Sequence, residues 1–412
     1  MSAAVPIPAE VARTHERVTP YGWKALAGSV IGYSMDGFDL LIVGFMLPVI
    51  SADLGFTKTQ AGSLVSWTLL GAVAGGITFG ALSDRFGRIR VLTWTILVFA
   101  GFTGLCAIAR DYWELVVFRV IAGLGLGGEF GIGMALAAEA WPAEKRARAS
   151  SYVAIGWQSG VLLAALLTPA LLPRIGWRGM FVVGLLPALV AFAVRRTLDE
   201  PEIFVQKHAK TTQSSFRLLV KDRTTTNTTV AIGALCSVMN FGYYGIMIWM
   251  RTYLSANLGF SLATSAAWTS SIVLGMCLGL SLGGQVADRL GRRPMFLVFN
   301  TGALASLYLY SRTTTPGTLL WMGALMGMFV VGSLPGTCAL MSEAYPTAAR
   351  ATAQNSLFNI ARGVASLAPL AIGALAAKYS FRTALALLSS VYVFAIVITV
   401  FFIPELRGKQ LD

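Results

Sequence analysis

Of the 412 residues, 56% are apolar and only 12% charged, whereas a soluble domain carries about a quarter charged residues. With a mean hydropathy of +0.68, that excludes a soluble globular or a disordered chain. The net charge of +13 is spread over short loops between apolar blocks, so it reads as a membrane-topology signal and excludes nucleic acid as a partner.

A segment of about 20 apolar residues crosses the hydrocarbon core as a helix. Twelve such blocks follow one another, near 23–49, 59–82, 90–109, 113–140, 149–172, 177–198, 228–254, 262–287, 294–311, 317–342, 351–377 and 381–403. The chain is therefore predicted to be an all-α membrane protein with twelve transmembrane helices. No stretch is left to bury a soluble core, and 199–227 is a connector. Alternating the sides of the loops places most Lys and Arg on the side of the N-terminus. The positive-inside rule makes that side cytoplasmic, with both termini on it. The first twenty residues lack the basic-then-apolar pattern of a cleaved signal. Cys106, Cys236, Cys277 and Cys338 all fall inside spans without metal-site spacing, so neither a disulfide nor a metal is expected. His15 and His208 lie in cytoplasmic segments, which leaves no histidine for a proton relay or a Ser-His-Asp triad in the membrane. The chain is not expected to be an enzyme.

The chain repeats itself at an offset of 204 residues. Leu54-Gly55-Phe56 recurs as Leu258-Gly259-Phe260, and Asp84-Arg85-x-Gly87-Arg88 as Asp288-Arg289-x-Gly291-Arg292. Glu139 and Arg146 recur as Glu343 and Arg350. Each half holds an even number of spans, so the halves are parallel repeats about an axis along the membrane normal, with a site between them near the midplane. The predicted organisation is an N-terminal six-helix bundle (1–198), a cytoplasmic linker (199–227) and a C-terminal six-helix bundle (228–412).

The loop "GALSDRFGRIR" and its echo "GGQVADRLGRR" resemble the signature loop of the major facilitator superfamily, along essentially the whole chain. "DGFD" in span 1 resembles the aromatic acid:proton symporters and the bacterial sialic acid transporters. "GLGLGGEFG" in span 4 departs from the aromatic-acid pattern and is closer to sialic acid and metabolite:proton symporters. The resemblance implies a transporter working by alternating access. It also implies a cytoplasmic gate built from Asp84, Arg85, Arg88, Glu139 and Arg146 with Asp288, Arg289, Arg292, Glu343 and Arg350. Positive-inside anchoring alone is the plainer alternative for these charges.

Gly123-Leu-Gly125-Leu-Gly127-Gly128 matches a nucleotide-binding fingerprint, but it lacks the preceding strand that such a site needs. Its glycines are expected to let helices pack backbone to backbone, as are Gly71/Gly75 and Gly275/Gly279/Gly283.

Charges inside spans cost about 3 kcal/mol each at mid-membrane and need a partner or a wet cavity. At 1.5 Å per residue, Asp36, Glu129 and Arg362 lie roughly 18–20 Å from the cytoplasmic side, with Asp39 and Arg119 farther out. Buried carboxylates titrate nearer neutrality, so Asp36, Asp39 and Glu129, with Arg119, are candidates for proton coupling. A guanidinium stays charged and matches a carboxylate's two oxygens. Arg362, and secondarily Arg119, are candidates for holding an anion, with Gln158, Asn240, Tyr243, Tyr244, Asn355 and Asn359 completing the pocket. An ion pair between Arg119 and Asp39 is the purely structural alternative. The expectation is proton-coupled uptake of a small organic anion: an aromatic or aliphatic carboxylate or an acidic sugar. A proton-driven efflux pump for drugs or metabolites is the alternative. No cofactor is expected beyond the coupling proton. The expected partners are the substrate and the bilayer of a bacterial inner membrane, with a monomer as the working unit.

Overall fold

A computed structural model describes residues 18–185, 189, 192–193, 196–201, 204–205, 215–258 and 262–408. Among them the first half comprises α1 (Pro20–Leu54), α2 (Lys58–Phe86), α3 (Arg88–Leu105), α4 (Tyr112–Ala140) and α5 (Arg146–Val183). A short linker helix α6 (Ser215–Leu219) precedes α7 (Arg223–Leu258), α8 (Leu262–Leu290), α9 (Arg292–Arg312), α10 (Pro316–Gly332) and α11 (Leu334–Ala344). The chain closes with α12 (Arg350–Ala365), α13 (Ala368–Lys378), α14 (Phe381–Ser389) and α15 (Val391–Phe402).

Local chemistry sets the starts of these helices. Thr57 and Gln60 cap α2 reciprocally, and Asp111 accepts the Glu114 N–H at the start of α4. Asp222 does the same for Thr225 at the start of α7, and that backbone hydrogen bond lowers its carboxyl pKa. α5 turns at Gly176 (φ 65°, ψ 177°), so spans 5 and 6 join without a loop.

Spans 10, 11 and 12, expected as single helices, are each two: α10/α11, α12/α13 and α14/α15. A proline within the first two positions of α11 and of α13 removes an N–H from the ladder and explains two of the breaks.

Nine of the described helical stretches are long and apolar enough to cross a bilayer. Span 6 lies partly outside the described residues. α9 and α12 are more polar because buried groups such as Asn300, Gln354, Asn355, Asn359 and Arg362 face protein. Ile360 and Val364 of α12 are exposed, so α12 turns apolar residues outward and polar ones inward.

The glycine runs pack helices closely, as expected. A Cβ on Gly71 or Gly75 would overlap the backbone of Val120 or Leu124 on α4. The echo in the second half sets Gly275, Gly279 and Gly283 against Ala324, Met328 and Gly332. The halves meet where α12 packs on α2 and α4, and where α5 packs on α8 and α11.

Candidate functional site

A cavity lies between the halves, lined by Tyr33 of α1, Trp157 and Gln158 of α5, Asn240, Tyr243 and Tyr244 of α7, and Phe358 and Arg362 of α12. Val330, Val331 and Leu334, at the α10/α11 break, form part of its wall. Its volume is about 70 Å³, room for more than one water.

Arg362 is buried, and its guanidinium carbon lies 5.8 Å from the Trp157 ring and 5.0 Å from the Phe358 ring. Among the described residues its Nε has no hydrogen-bond partner, and no carboxylate lies within ion-pair distance. Tyr33 stands 5.1 Å from Trp157, ring to ring. The two amides are partly engaged: Gln158 Nε2 donates to Met276 Sδ (3.4 Å), and Asn240 Nδ2 donates to the Cys236 carbonyl (2.9 Å).

None of the three candidate acids lines this cavity. Asp36 is buried and acts electrostatically on both Arg362 and Tyr33. Asp39 is held by Arg119 through Nη1–Oδ1 (3.0 Å) and Nη2–Oδ2 (2.6 Å), with Thr103 donating to Oδ1 and Thr68 accepting from Arg119 Nε. Such a two-pronged pair uses up the Arg119 fork, and Arg119 does not line the cavity. Glu129 turns to α3, where Thr95 Oγ1 donates to its Oε1 at 2.6 Å. Asn355 and Asn359 do not line the cavity either: both bond to the backbone of α4.

On the face that carries the DRxGR loops, the basic face, ion pairs join the halves. Glu139 takes Arg88 of its own half (3.0 Å) and Arg350 of the other (2.7 Å). Glu343 takes Arg292 (2.5 Å) and, at 4.0 Å, Arg146 of the other half. Asp84, paired with Arg88 at 2.6 Å, also accepts from the Ala351 and Thr352 N–H groups at the start of α12. Asp288 mirrors it, accepting from Ala147 and Arg148 at the start of α5 while paired with Arg292 at 3.3 Å. A carboxylate on a helix N-terminus is favoured by the unsatisfied N–H groups and the helix dipole. Arg85 and Arg289, in the last turns of α2 and α8, are both exposed, about 100° around the helix from the buried Asp84 and Asp288.

Several partners escaped sequence reasoning. Thr352 and Arg148 were legible, since the residues capped by Asp84 and Asp288 obey the same 204-residue offset. Phe358 was also within reach, one turn before Arg362 on the same face of a helix. Glu200 and Glu405 were not. Glu200 accepts from the Arg88 and Arg90 N–H groups, and Glu405 from those of Arg292 and Arg293. They stand 205 residues apart, and a gapless 204-residue register aligns Glu200 with Pro404. Each carboxylate abuts a glycine at positive φ, Gly87 (107°) or Gly291 (110°), where a side chain would be strained and would meet it.

The chain is similar to curated transporters along almost its whole length. A Haemophilus influenzae chain provisionally named a metabolite transport protein is 62% identical over 404 residues, covering 96% of this chain and 99% of that one. The cis,cis-muconate transport protein of Acinetobacter baylyi is 32% identical, with 96% and 97% covered. The proton:xylose symporter XylE, bound to 6-bromo-6-deoxy-D-glucose, shares the fold with a TM-score of 0.80 at 19% identity, over 96% of this chain and 98% of that one. The family model of the Major Facilitator Superfamily matches residues 29–273 and again 230–411. The chain is an integral multi-pass membrane protein, and it belongs to the Major Facilitator Superfamily of transporters.

Proposed function

We propose that the chain imports a small organic acid together with protons by alternating access, and that its best substrates are planar unsaturated or aromatic carboxylates. One observation carries this reading: Arg362 presents a buried guanidinium to an inter-half cavity and, among the described residues, no carboxylate of the protein is paired to it. A permanent cation in a low-dielectric cavity favours an anionic guest. The walls are aromatic on several sides (Tyr33, Trp157, Tyr243, Tyr244, Phe358) and more apolar than polar. A flat conjugated acid can stack there, whereas a polyhydroxylated sugar acid would leave hydroxyls unsatisfied. Relatives named for cis,cis-muconate, niacin and 4-hydroxybenzoate support that choice, and one named for sialic acid keeps the acidic sugar testable.

In this reading the proton is taken up by Asp36, Asp39 or Glu129, with Arg119 paired to Asp39. The ion pairs of the basic face form the gate. That face is cytoplasmic, the membrane is the bacterial inner membrane, and one chain is the working unit. A potential of 100 mV contributes about 2.3 kcal/mol per net charge and a pH unit about 1.4 per proton, so a monoanion carried with two protons, one net charge, accumulates roughly five-thousandfold.

The test is uptake into proteoliposomes with an alkaline, negative interior, offered nicotinate, 4-hydroxybenzoate, cis,cis-muconate and sialic acid. The expected result is concentrative uptake of at least one planar acid, abolished by a protonophore and by Arg362→Ala. Extrusion of the acids under that gradient would select the efflux alternative. Accumulation that survives the protonophore would refute proton coupling.

A further inference from the structure

The glycine-rich run of α4 does more than pack against α2. The Gly131 N–H donates to Asn355 Oδ1 at 2.7 Å, across the boundary between the halves. Asn355 Nδ2 donates to the Gly128 carbonyl and Asn359 Nδ2 to the Gly127 carbonyl, both at 3.4 Å. Asn359 Nδ2 also donates to the backbone carbonyl of Asn355, one turn earlier on α12, at 2.9 Å, which orients the Asn359 amide. Both asparagines are buried.

The glycines make this contact possible. A Cβ on Gly131 would run into the Asn355 side chain, and one on Gly76 of α2 into the Asn359 amide. Backbone polar groups inside a membrane helix are normally shielded by side chains, and here the missing side chains leave them open to the other half.

We propose that Asn355 and Asn359 are positioning residues, a latch between the halves that has to release before the cavity opens toward the basic face. Their place along α12 fits this role. Arg350 reaches Glu139 and Thr352 reaches Asp84 at the basic end. The two amides follow, and Phe358 stacks on Phe130 of the first half at 3.7 Å between ring centroids. Arg362, facing the cavity, stands about 18 Å along the axis from Arg350. Closure of the basic face is thus several layers deep, and the amides form the layer between the ion pairs and the cavity.

The latch exists on one side of the pseudo-symmetric pair. The 204-residue offset maps Asn355 onto Ser151 and Asn359 onto Ile155. The Ser151 hydroxyl donates within its own helix, to Ala147 O at 2.9 Å. The amides also bracket Glu129, which lies between Gly128 and Gly131. On the proton-coupled reading above, on which this last point alone rests, the latch ties the segment carrying Glu129 to the closed state.

Spin labels at Arg85→Cys and Arg289→Cys, both exposed on the basic face, report the separation of the halves. The full chain is used in lipid nanodiscs, with the half-buried Cys277 replaced by serine. Neither a substrate nor a gradient is needed, so the measurement does not depend on the identity of the acid. The Asn355→Ala/Asn359→Ala variant is expected to raise the open-to-closed ratio at least about fivefold, since each net hydrogen bond is worth a factor of roughly 2 to 12. Gly131→Ala, which displaces Asn355 without removing either amide, should shift the ratio in the same direction. It also carries the test if the double variant fails to fold. Ser151→Ala should leave the ratio unchanged. Apparent affinity for an acid presented from the opposite face should fall in proportion to the closed fraction. Unchanged distances in the amide variant and in Gly131→Ala, or an equal shift in Ser151→Ala, would overturn the latch.

Discussion

The two cross-half ion pairs occupy equivalent positions in the repeat but differ in geometry, and that difference predicts unequal coupling. Arg350 and Glu139 meet at 2.7 Å, within charge-assisted hydrogen-bond range, with both side chains fully buried. Arg146 and Glu343 stand at 4.0 Å, beyond a hydrogen bond. At an effective dielectric constant near 20, the Coulomb attractions are about 6 and about 4 kcal/mol. The gap of about 2 kcal/mol is a roughly thirtyfold difference in how strongly each pair holds the basic face shut. Single substitutions do not isolate it, because Glu139 and Glu343 also hold Arg88 and Arg292. Double-mutant cycles cancel those losses. Glu139→Gln with Arg350→Gln forms one cycle, and Glu343→Gln with Arg146→Gln the other, each read as the open-to-closed ratio from labels on the basic face. Coupling energies equal within about 0.5 kcal/mol, or larger for Arg146 and Glu343, would refute the reasoning.

Arg362→Ala should weaken binding of a transported acid about 10- to 150-fold, the range for a hydrogen bond to a charged group, measured by calorimetry on purified protein. Arg119→Leu strips the buried Asp39 of its two-pronged partner while the Thr103 hydroxyl still donates to it, and should cost about 3–5 kcal/mol of stability. Thermal unfolding in detergent checks it, and Asp39→Asn in the same background should recover part of the loss. Gly87→Ala, forced to φ near 107° against Glu200, should cost about 1–3 kcal/mol, and Gly291→Ala should behave alike in the same unfolding assay. On the opposite face, the Arg178 hydrogen bond, with a second from Trp177, lowers the Asp53 carboxyl pKa. Its contribution to stability is therefore present above the unfolded pKa of about 3.9 and lost as pH falls through the folded one. Asp53→Asn should flatten the acid limb of the unfolding profile below about pH 4, and an unchanged limb would refute the assignment.

Much of this molecule is legible in its residues alone. The spans, the doubling and the pairing of Asp84 with Arg88 follow from local pattern, because a bilayer demands long apolar helices and a repeat demands equivalent contacts. Arg362 stands out for the same reason: a cation in an apolar span needs an explanation wherever it points. Depth along the chain also comes through, since helical rise is constant. Direction around the helix does not. Asp36, Glu129 and Arg362 share a depth, yet only Arg362 reaches the cavity, because rotation about a helix axis is set by packing against neighbours. Proximity in sequence groups Asn355 and Asn359 with the cavity. The bare backbone of α4, exposed by glycines more than two hundred residues earlier, draws them away.

By itself the sequence determined which segments enter the membrane, that they form two copies of one unit, and which charges had to be buried. It could do so because solvation cost and periodicity are local properties of a chain. Only the tertiary structure decided which buried charge faces an empty space and which faces a partner. That choice depends on helices far apart in sequence meeting at one particular rotation, and no single stretch of residues encodes the angle.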